Sequence, residues 1–165
     1  LRNQFQFYGI STQQRRAIQR PFLLKAMLPP KTELHELVKV LWSRNEREFH
    51  YFAQVDMIAN KLMGNYFLLF PEEREGYTNK WLQSNNIWLQ RSALLFQLKY
   101  KDKMDLALLV KCIHHLLGSD EFFINKAIGW VLREYSRTDP IWVQEFVNDT
   151  ALSPLSKREA LRLIS

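Results

Sequence analysis

Apolar residues recur along this chain at the spacing of an α-helix rather than at that of a β-strand. The clearest stripe consists of Ile124, Ala127, Ile128, Val131, Leu132 and Tyr135, which lie three or four residues apart. Such a stripe covers one side of a helix and predicts that this side faces a core. A second stripe between Trp81 and Tyr100 follows the same spacing and consists of Leu89, Ala93, Phe96 and Tyr100.

Signals for β-structure are weak throughout the sequence. The chain has five glycines, no Asn-Gly or Asp-Gly pair of the kind that closes a hairpin, and no long alternation of Val, Ile and Thr. Pro30, Pro71, Pro140 and Pro154 separate the helical stretches. We therefore predict an all-α protein with about eight short helices.

The predicted helix starts recur at a regular distance. They are Ser43-Arg44-Asn45, Ser84-Asn85-Asn86, Ser119-Asp120-Glu121 and Ser153-Pro154-Leu155, and they are separated by 41, 35 and 34 residues. This period is typical of helix-pair repeats of HEAT-like length, which stack into a curved solenoid. We predict a single HEAT-like helical-repeat domain (an α-α superhelix) over residues 1–165, with a concave basic face.

One place interrupts this repeat. Residues 47–54 and 55–64 both have the pattern of a second helix, yet they follow each other with no first helix or turn between them. A regular solenoid predicts a missing segment of about 30 residues near Gln54 and Val55, and the alternative is one long repeat. Because the chain does not begin with Met, we also expect it to be truncated at the N-terminus.

Composition and charge limit the class of protein. Every apolar run is shorter than the roughly 20 residues that a membrane span needs, and the first ten residues are unlike a secretory signal, so we expect no membrane association. The net charge of +6 favours an anionic partner such as nucleic acid. A single cysteine, Cys112, fits a reducing cytoplasm and provides no metal site.

Basic and aromatic residues share a face opposite the first apolar stripe. This line consists of Lys126, Trp130, Arg133 and Arg137 at helical spacing. Cations can hold phosphates while an exposed indole offers its face to a base, although a core tryptophan among solvated charges would give the same pattern. Trp88 and Arg91 lie three residues apart and repeat the combination.

Asp56 is the acidic residue with the most suggestive position. It stands at the start of an apolar helical stretch, where a carboxylate can cap the helix or complement its dipole. The functional alternative is that a fixed anion beside a basic, aromatic face stabilises the oxocarbenium-like sugar that forms when an N-glycosidic bond breaks.

Four stretches together resemble the AlkD family of alkylpurine DNA glycosylases, and the resemblance covers nearly the whole chain. They are Tyr8-Gly9-Ile10-Ser11-Thr12 with Arg15-Arg16, Asn86 to Arg91, Lys126 to Tyr135, and Leu155 to Ala160. The third stretch is ten consecutive residues that match the family's pattern. The resemblance implies excision of N3- and N7-alkylated purines from duplex DNA in base excision repair, with no metal or organic cofactor.

Matched position by position, the resemblance implies that Asp56, Arg91 and Trp130 are the catalytic residues. It departs from the family at Phe52, because the family carries a further tryptophan four residues before its catalytic aspartate. We assign DNA contacts to six residues of the predicted basic face: Trp88, Lys126, Arg133, Arg137, Lys157 and Arg158.

Two functions remain open on the sequence alone. The first is a glycosylase that acts as a monomer on duplex DNA containing alkylated bases, located in a bacterial cytoplasm and at the nucleoid when it acts. The second is a non-catalytic HEAT-like module that binds DNA or protein.

Overall fold

The computed structural model describes Gly9, residues 11–19, Glu33, Glu36, Val40 and residues 63–164. These residues form helices and turns, and no β-strand occurs among them. The α-helices of known extent are α1 (Thr12–Gln19), α2 (Gly64–Leu69), α3 (Arg74–Leu82), α4 (Ile87–Leu95), α5 (Leu106–Leu116), α6 (Phe122–Tyr135), α7 (Pro140–Asp149) and α8 (Pro154–Ala160). The described residues also form three short 3₁₀ helices, Pro71–Glu73, Lys101–Lys103 and Leu161–Leu163. The predicted all-α class is confirmed.

Local capping explains where several helices begin. Asn86 caps α4, since its side-chain oxygen accepts hydrogen bonds from the backbone N–H groups of Trp88 and Leu89. Ser153 caps α8 by accepting a hydrogen bond from the N–H of Ser156, and Pro154 follows at the first helical position. Both starts were predicted from the sequence.

The start of α6 differs in one detail from the prediction. The helix begins at Phe122, as Ser119-Asp120-Glu121 indicates, but Glu121 at the N-cap makes no side-chain capping hydrogen bond. Instead, the Ser119 hydroxyl accepts a hydrogen bond from the N–H of Glu121 at 3.2 Å. The serine therefore stabilises the turn before the helix rather than the first turn of the helix itself.

The repeat of helix starts corresponds to one layer of the fold. The starts at Ser84, Ser119 and Ser153 open α4, α6 and α8, and α6 packs between α4 and α8. The alternating helices complete the packing: α3 contacts α4 and α5, and α7 contacts α6 and α8. This arrangement is the predicted α-helical repeat, while the concavity of its basic face stays a prediction.

The core follows the apolar stripes. All six residues of the stripe on α6 are buried. In the second stripe Ala93, Phe96 and Tyr100 are buried and Leu89 is half-buried, but α4 ends at Leu95, so Phe96 and Tyr100 reach the core from the turn that follows. The apolar spacing thus predicted burial better than it predicted helix length.

Gly129 allows α6 and α8 to pack unusually closely. A Cβ atom added at Gly129 would lie 2.5 Å from the Cβ of Glu159 and 2.8 Å from the carbonyl oxygen of Ser156. The second of these neighbours is backbone and cannot rotate away. A glycine is therefore required where the two helices cross.

Gly129→Ala is expected to lower the free energy of unfolding by about 1–3 kcal/mol, because overpacking at the crossing outweighs alanine's better helix propensity. Gly76→Ala on α3 is the matched control. A Cβ there meets no atom within 4 Å, so the control should keep or raise the thermal midpoint. An unchanged midpoint in Gly129→Ala would contradict the close crossing.

Several predictions concern residues that the structure does not describe. These are Pro30, the start at Ser43-Arg44-Asn45, Phe52, the break at Gln54 and Val55, and Asp56.

Candidate functional site

Arg91 and Trp130 meet at the boundary between α4 and α6. Arg91 is buried, with 8% of its surface exposed, and its guanidinium donates a hydrogen bond to the carbonyl oxygen of Phe123 at the start of α6. The central carbon of the same guanidinium lies 6.0 Å from the centroid of the Trp130 ring, at the outer limit of a cation–π contact. Neighbouring helices of one layer thus bring together two residues that are 39 positions apart in sequence.

Trp130 lies between the core position and the exposed position that its sequence context left open. Its indole packs against the hydrophobic core, yet the residue is only half-buried. The residue therefore keeps some exposed surface, and it lies on the side of α6 that carries the basic residues. Packing against the core fixes the indole in place, with the Arg91 guanidinium over its ring.

An aromatic cluster lies next to this pair. The ring centroids of Trp88 on α4 and Phe123 on α6 are 4.9 Å apart, and Phe122 and Phe123 are 5.4 Å apart. Phe122 is 57% exposed. Trp88 and Phe123 each stand four residues after the serine of their repeat. This shared position in the repeat is the sequence signal that could have identified the pair.

Glu159 joins two of the predicted DNA-binding cations. The Nζ of Lys126 lies 2.6 Å from one carboxylate oxygen of Glu159, and the Nη1 of Arg133 lies 2.7 Å from the other. Glu159 is buried on α8, whereas the side chains of Lys126 and Arg133 are 37% and 21% exposed. Sequence reasoning did not identify this residue.

The pKa of the Glu159 carboxyl is held below its ordinary value. The main cause is the hydrogen bond from Lys126, and the charges of Lys126, Arg133 and Arg162 act in the same direction, against the effect of burial. Glu159 is therefore a carboxylate at neutral pH. It neutralises part of the basic face while holding two of its members.

The remaining predicted DNA contacts lie near the C-terminal ends of α6 and α8. Arg137 follows α6 and is exposed, and its Nε lies 3.8 Å from the carboxylate of Glu134. Lys157 and Arg158 occupy the last turn of α8, where Arg158 is exposed and Lys157 is half-buried. Cations at a helix C-terminus are favoured by the helix dipole.

The family model of DNA alkylation repair enzymes matches the chain over residues 1–55 and 53–164. The chain belongs to this family. Among solved structures, it is similar to a predicted DNA alkylation repair enzyme from Enterococcus faecalis, with 29% sequence identity and a TM-score of 0.72. That similarity covers 98% of this chain and 90% of the other. No curated protein matches the chain.

Membership in the DNA alkylation repair family confirms the resemblance predicted from the sequence and gives the protein a role in DNA alkylation repair. Of the three residues predicted to be catalytic, the structure brings Arg91 and Trp130 together. Asp56 lies outside the described residues, so its place relative to this pair stays a prediction.

The described part of this DNA alkylation repair enzyme contains no group of three His, Cys, Asp or Glu side chains that could hold a metal ion. Cys112 is fully buried, and burial raises the pKa of its thiol to about 12, so it is not a nucleophile at neutral pH. Among the described helices, none is long and apolar enough to cross a membrane.

Proposed function

We propose that this DNA alkylation repair enzyme is a DNA glycosylase that excises cationic N3- and N7-alkylated purines, such as 3-methyladenine and 7-methylguanine, from duplex DNA. The observation that carries this proposal is the half-buried indole of Trp130, which has the Arg91 guanidinium over its ring and shares one side of α6 with Lys126 and Arg133. An aromatic face within a basic surface can meet a cationic base while phosphates neutralise the surrounding charges.

The chemistry of the substrate fits a site of this kind. Alkylation at N3 or N7 leaves the purine positively charged, so the base departs as a neutral molecule when its bond to C1′ of the sugar breaks. The leaving base then needs no proton from an acid on the protein. What remains to be stabilised is the positive charge that develops on the sugar.

We assign that task to Asp56. A carboxylate beside the oxocarbenium-like sugar offsets its charge and can orient a water molecule. The water oxygen forms the new bond to C1′, one proton is released, and the products are a free base and an abasic site. The assignment depends on the family resemblance around Val55-Asp56.

Arg91 has a different part in this proposal. Because it is 8% exposed and bonded to the carbonyl of Phe123, little of its guanidinium is available to a phosphate. We propose that its main effect is to hold the start of α6 and the indole of Trp130 in place, with a phosphate contact limited to its exposed edge.

We assign binding of the DNA phosphates to the more exposed cations. Lys126, Arg133, Arg137, Lys157 and Arg158 lie on α6 and α8 or just after them, and all retain exposed surface. Each phosphate that they neutralise releases condensed counterions, so binding should weaken steeply with salt. We propose that the protein acts as a monomer, at the nucleoid of a bacterial cell.

The alternative is a helical-repeat module that binds DNA without cleaving it. Phe52 favours this alternative, since it stands where the family carries a tryptophan. The two stretches of the family match meet at residues 53–55, which supports the proposal that a segment is missing there relative to the family. If the segment was omitted from this sequence, it would carry the family's tryptophan and the objection from Phe52 disappears. In a contiguous chain, the aromatic pair implied by the family would be half lost.

The test compares charged with neutral lesions. Duplexes carrying a single 7-methylguanine or 3-methyladenine should release the free base in the presence of the protein, faster than they depurinate alone. Duplexes carrying O6-methylguanine, which is uncharged, should release none. Equal release from both classes would contradict the requirement for a cationic leaving group, and binding without any release would favour the alternative.

A further inference from the structure

The carboxylate of Glu159 serves two cations, one with each of its oxygens. Oε1 contacts Lys126 at 2.6 Å and Oε2 contacts Arg133 at 2.7 Å. Lys126 and Arg133 are seven residues apart on α6, and Trp130 lies between them on the same side of the helix. A single residue of α8 therefore fixes both cations that flank the indole.

The backbone that carries Glu159 is itself held firmly against α6. Gly129 permits a helix crossing so close that a Cβ there would overlap the Cβ of Glu159. One turn earlier on α8, the Ser156 hydroxyl donates a hydrogen bond of 2.8 Å to the carbonyl oxygen of Asn125. Packing thus sets the position of the Glu159 backbone and Cβ, and the ion pairs with Lys126 and Arg133 complete the placement of the carboxylate.

Burial makes this arrangement more than a surface ion pair. Glu159 is 7% exposed, and a carboxylate at such a site is stabilised only when it is fully paired. Its partners, in contrast, keep part of their surface accessible. The ion pairs thus hold Lys126 and Arg133 in place and leave them able to contact a phosphate.

The charges also have a consequence for affinity. Two cations and one carboxylate leave a net charge of about +1 at this point of the face, instead of +2. Fewer effective charges mean that fewer counterions are released when the face meets DNA, so binding to any duplex is weaker and less dependent on salt.

We propose that Glu159 is a positioning residue that holds Lys126 and Arg133 in register with Trp130 and lowers the affinity of this face for undamaged DNA. The proposal rests on the proposed function, since it assumes that the face binds DNA. The enzyme then binds undamaged DNA less tightly, while Lys126 and Arg133 keep fixed positions beside the indole.

Two substitutions separate the effect of the charge of Glu159 from the effect of its side-chain length. Glu159→Gln keeps the size and removes the charge, so undamaged duplex should bind a few-fold tighter, with a slope of log affinity against log salt steeper by up to about one. Glu159→Asp keeps the charge but is one methylene shorter, so the salt slope should stay near that of the wild type. Both should slow single-turnover release of 7-methylguanine roughly 10-fold or more, because the cations lose their fixed positions.

Glu75→Gln is the control for net charge. It removes a carboxylate that pairs with Lys111 at 2.7 Å between α3 and α5, where neither residue belongs to the proposed face. It should change neither the salt slope nor the release rate. Thermal midpoints of all variants, measured without DNA, establish that the assays are run on folded protein.

The outcomes distinguish this inference from the proposed function. If Glu159→Gln and Glu159→Asp both match the wild type in salt slope and release rate while only their melting temperatures fall, Glu159 is purely structural and the proposal is overturned. If the wild type binds duplex but releases no base, the proposed function fails, and the role of Glu159 is then decided by the salt slope alone.

Discussion

Replacing Asp56 with Asn is expected to slow release of 7-methylguanine from duplex DNA by about 100- to 1,000-fold, the range found when one group that stabilises developing charge is removed. The amide keeps the shape of the side chain but carries no negative charge to oppose the sugar cation. Binding of undamaged duplex should be equal or tighter, since a carboxylate within a basic face repels phosphates.

The measurement is single-turnover release at saturating protein, so that weaker binding cannot be mistaken for slower chemistry. Asp149→Asn on α7 makes the same change of charge at an exposed position outside the layer of α4, α6 and α8, and should release the base at the rate of the wild type. Full activity in a folded Asp56→Asn variant would remove Asp56 from the mechanism.

Replacing Trp130 with Ala should lower the release rate by roughly 30-fold. The base is cationic before its bond breaks and leaves neutral, so the rate effect must come from the positive charge that develops on the sugar. A desolvated cation–π contact to that charge contributes about 2 kcal/mol, and each 1.36 kcal/mol changes a rate tenfold. Trp130→Phe keeps a smaller aromatic face and should retain an intermediate rate. Binding of undamaged DNA should change less than the release rate, because no positive charge develops beside the indole when undamaged DNA binds.

Trp142 provides the matched control for the loss of a large side chain. It is also a half-buried indole, but it lies on α7, stacked on Phe146 with ring centroids 5.0 Å apart. Trp142→Ala and Trp130→Ala should both lower the melting temperature through lost packing. Only the Trp130 variant should lose base release at temperatures where both proteins are folded, and equal losses would show that the effect comes from destabilisation.

The elements that sequence analysis placed correctly are those that local interactions determine. The cap at Asn86 involves residues two and three positions away, and the cap at Ser153 involves a residue three positions away. The apolar stripe of α6 follows from helical geometry alone. Family resemblance added what local rules cannot supply, namely the assignment to DNA alkylation repair.

The features that sequence analysis missed depend on how whole helices pack against each other. Glu159 and Arg133 are 26 positions apart, and nothing in the spacing of either residue indicates that α8 lies against α6 in the register that joins them. The same holds for Gly129, which resembles an unremarkable helix glycine until the crossing with α8 is known. Such contacts arise from tertiary structure and leave no periodic signal.

Arg91 illustrates a related gap. Its neighbours in sequence offered few carboxylates, and the described acceptor is a backbone carbonyl, that of Phe123. Every residue carries a carbonyl, so a side chain that bonds to backbone has no partner recognisable in the sequence. Reasoning from residue types could therefore select Arg91 but could not say what holds it.

The central claim is that this protein cleaves the glycosidic bond of a cationic purine, and base release tests it most directly. A duplex with one 7-methylguanine is incubated with excess wild-type protein, and the free base is quantified over time. We predict protein-dependent, first-order release that is much faster than spontaneous depurination and is lost in Asp56→Asn. Release no faster than the spontaneous rate, from duplex that is demonstrably bound by folded protein, would contradict the claim.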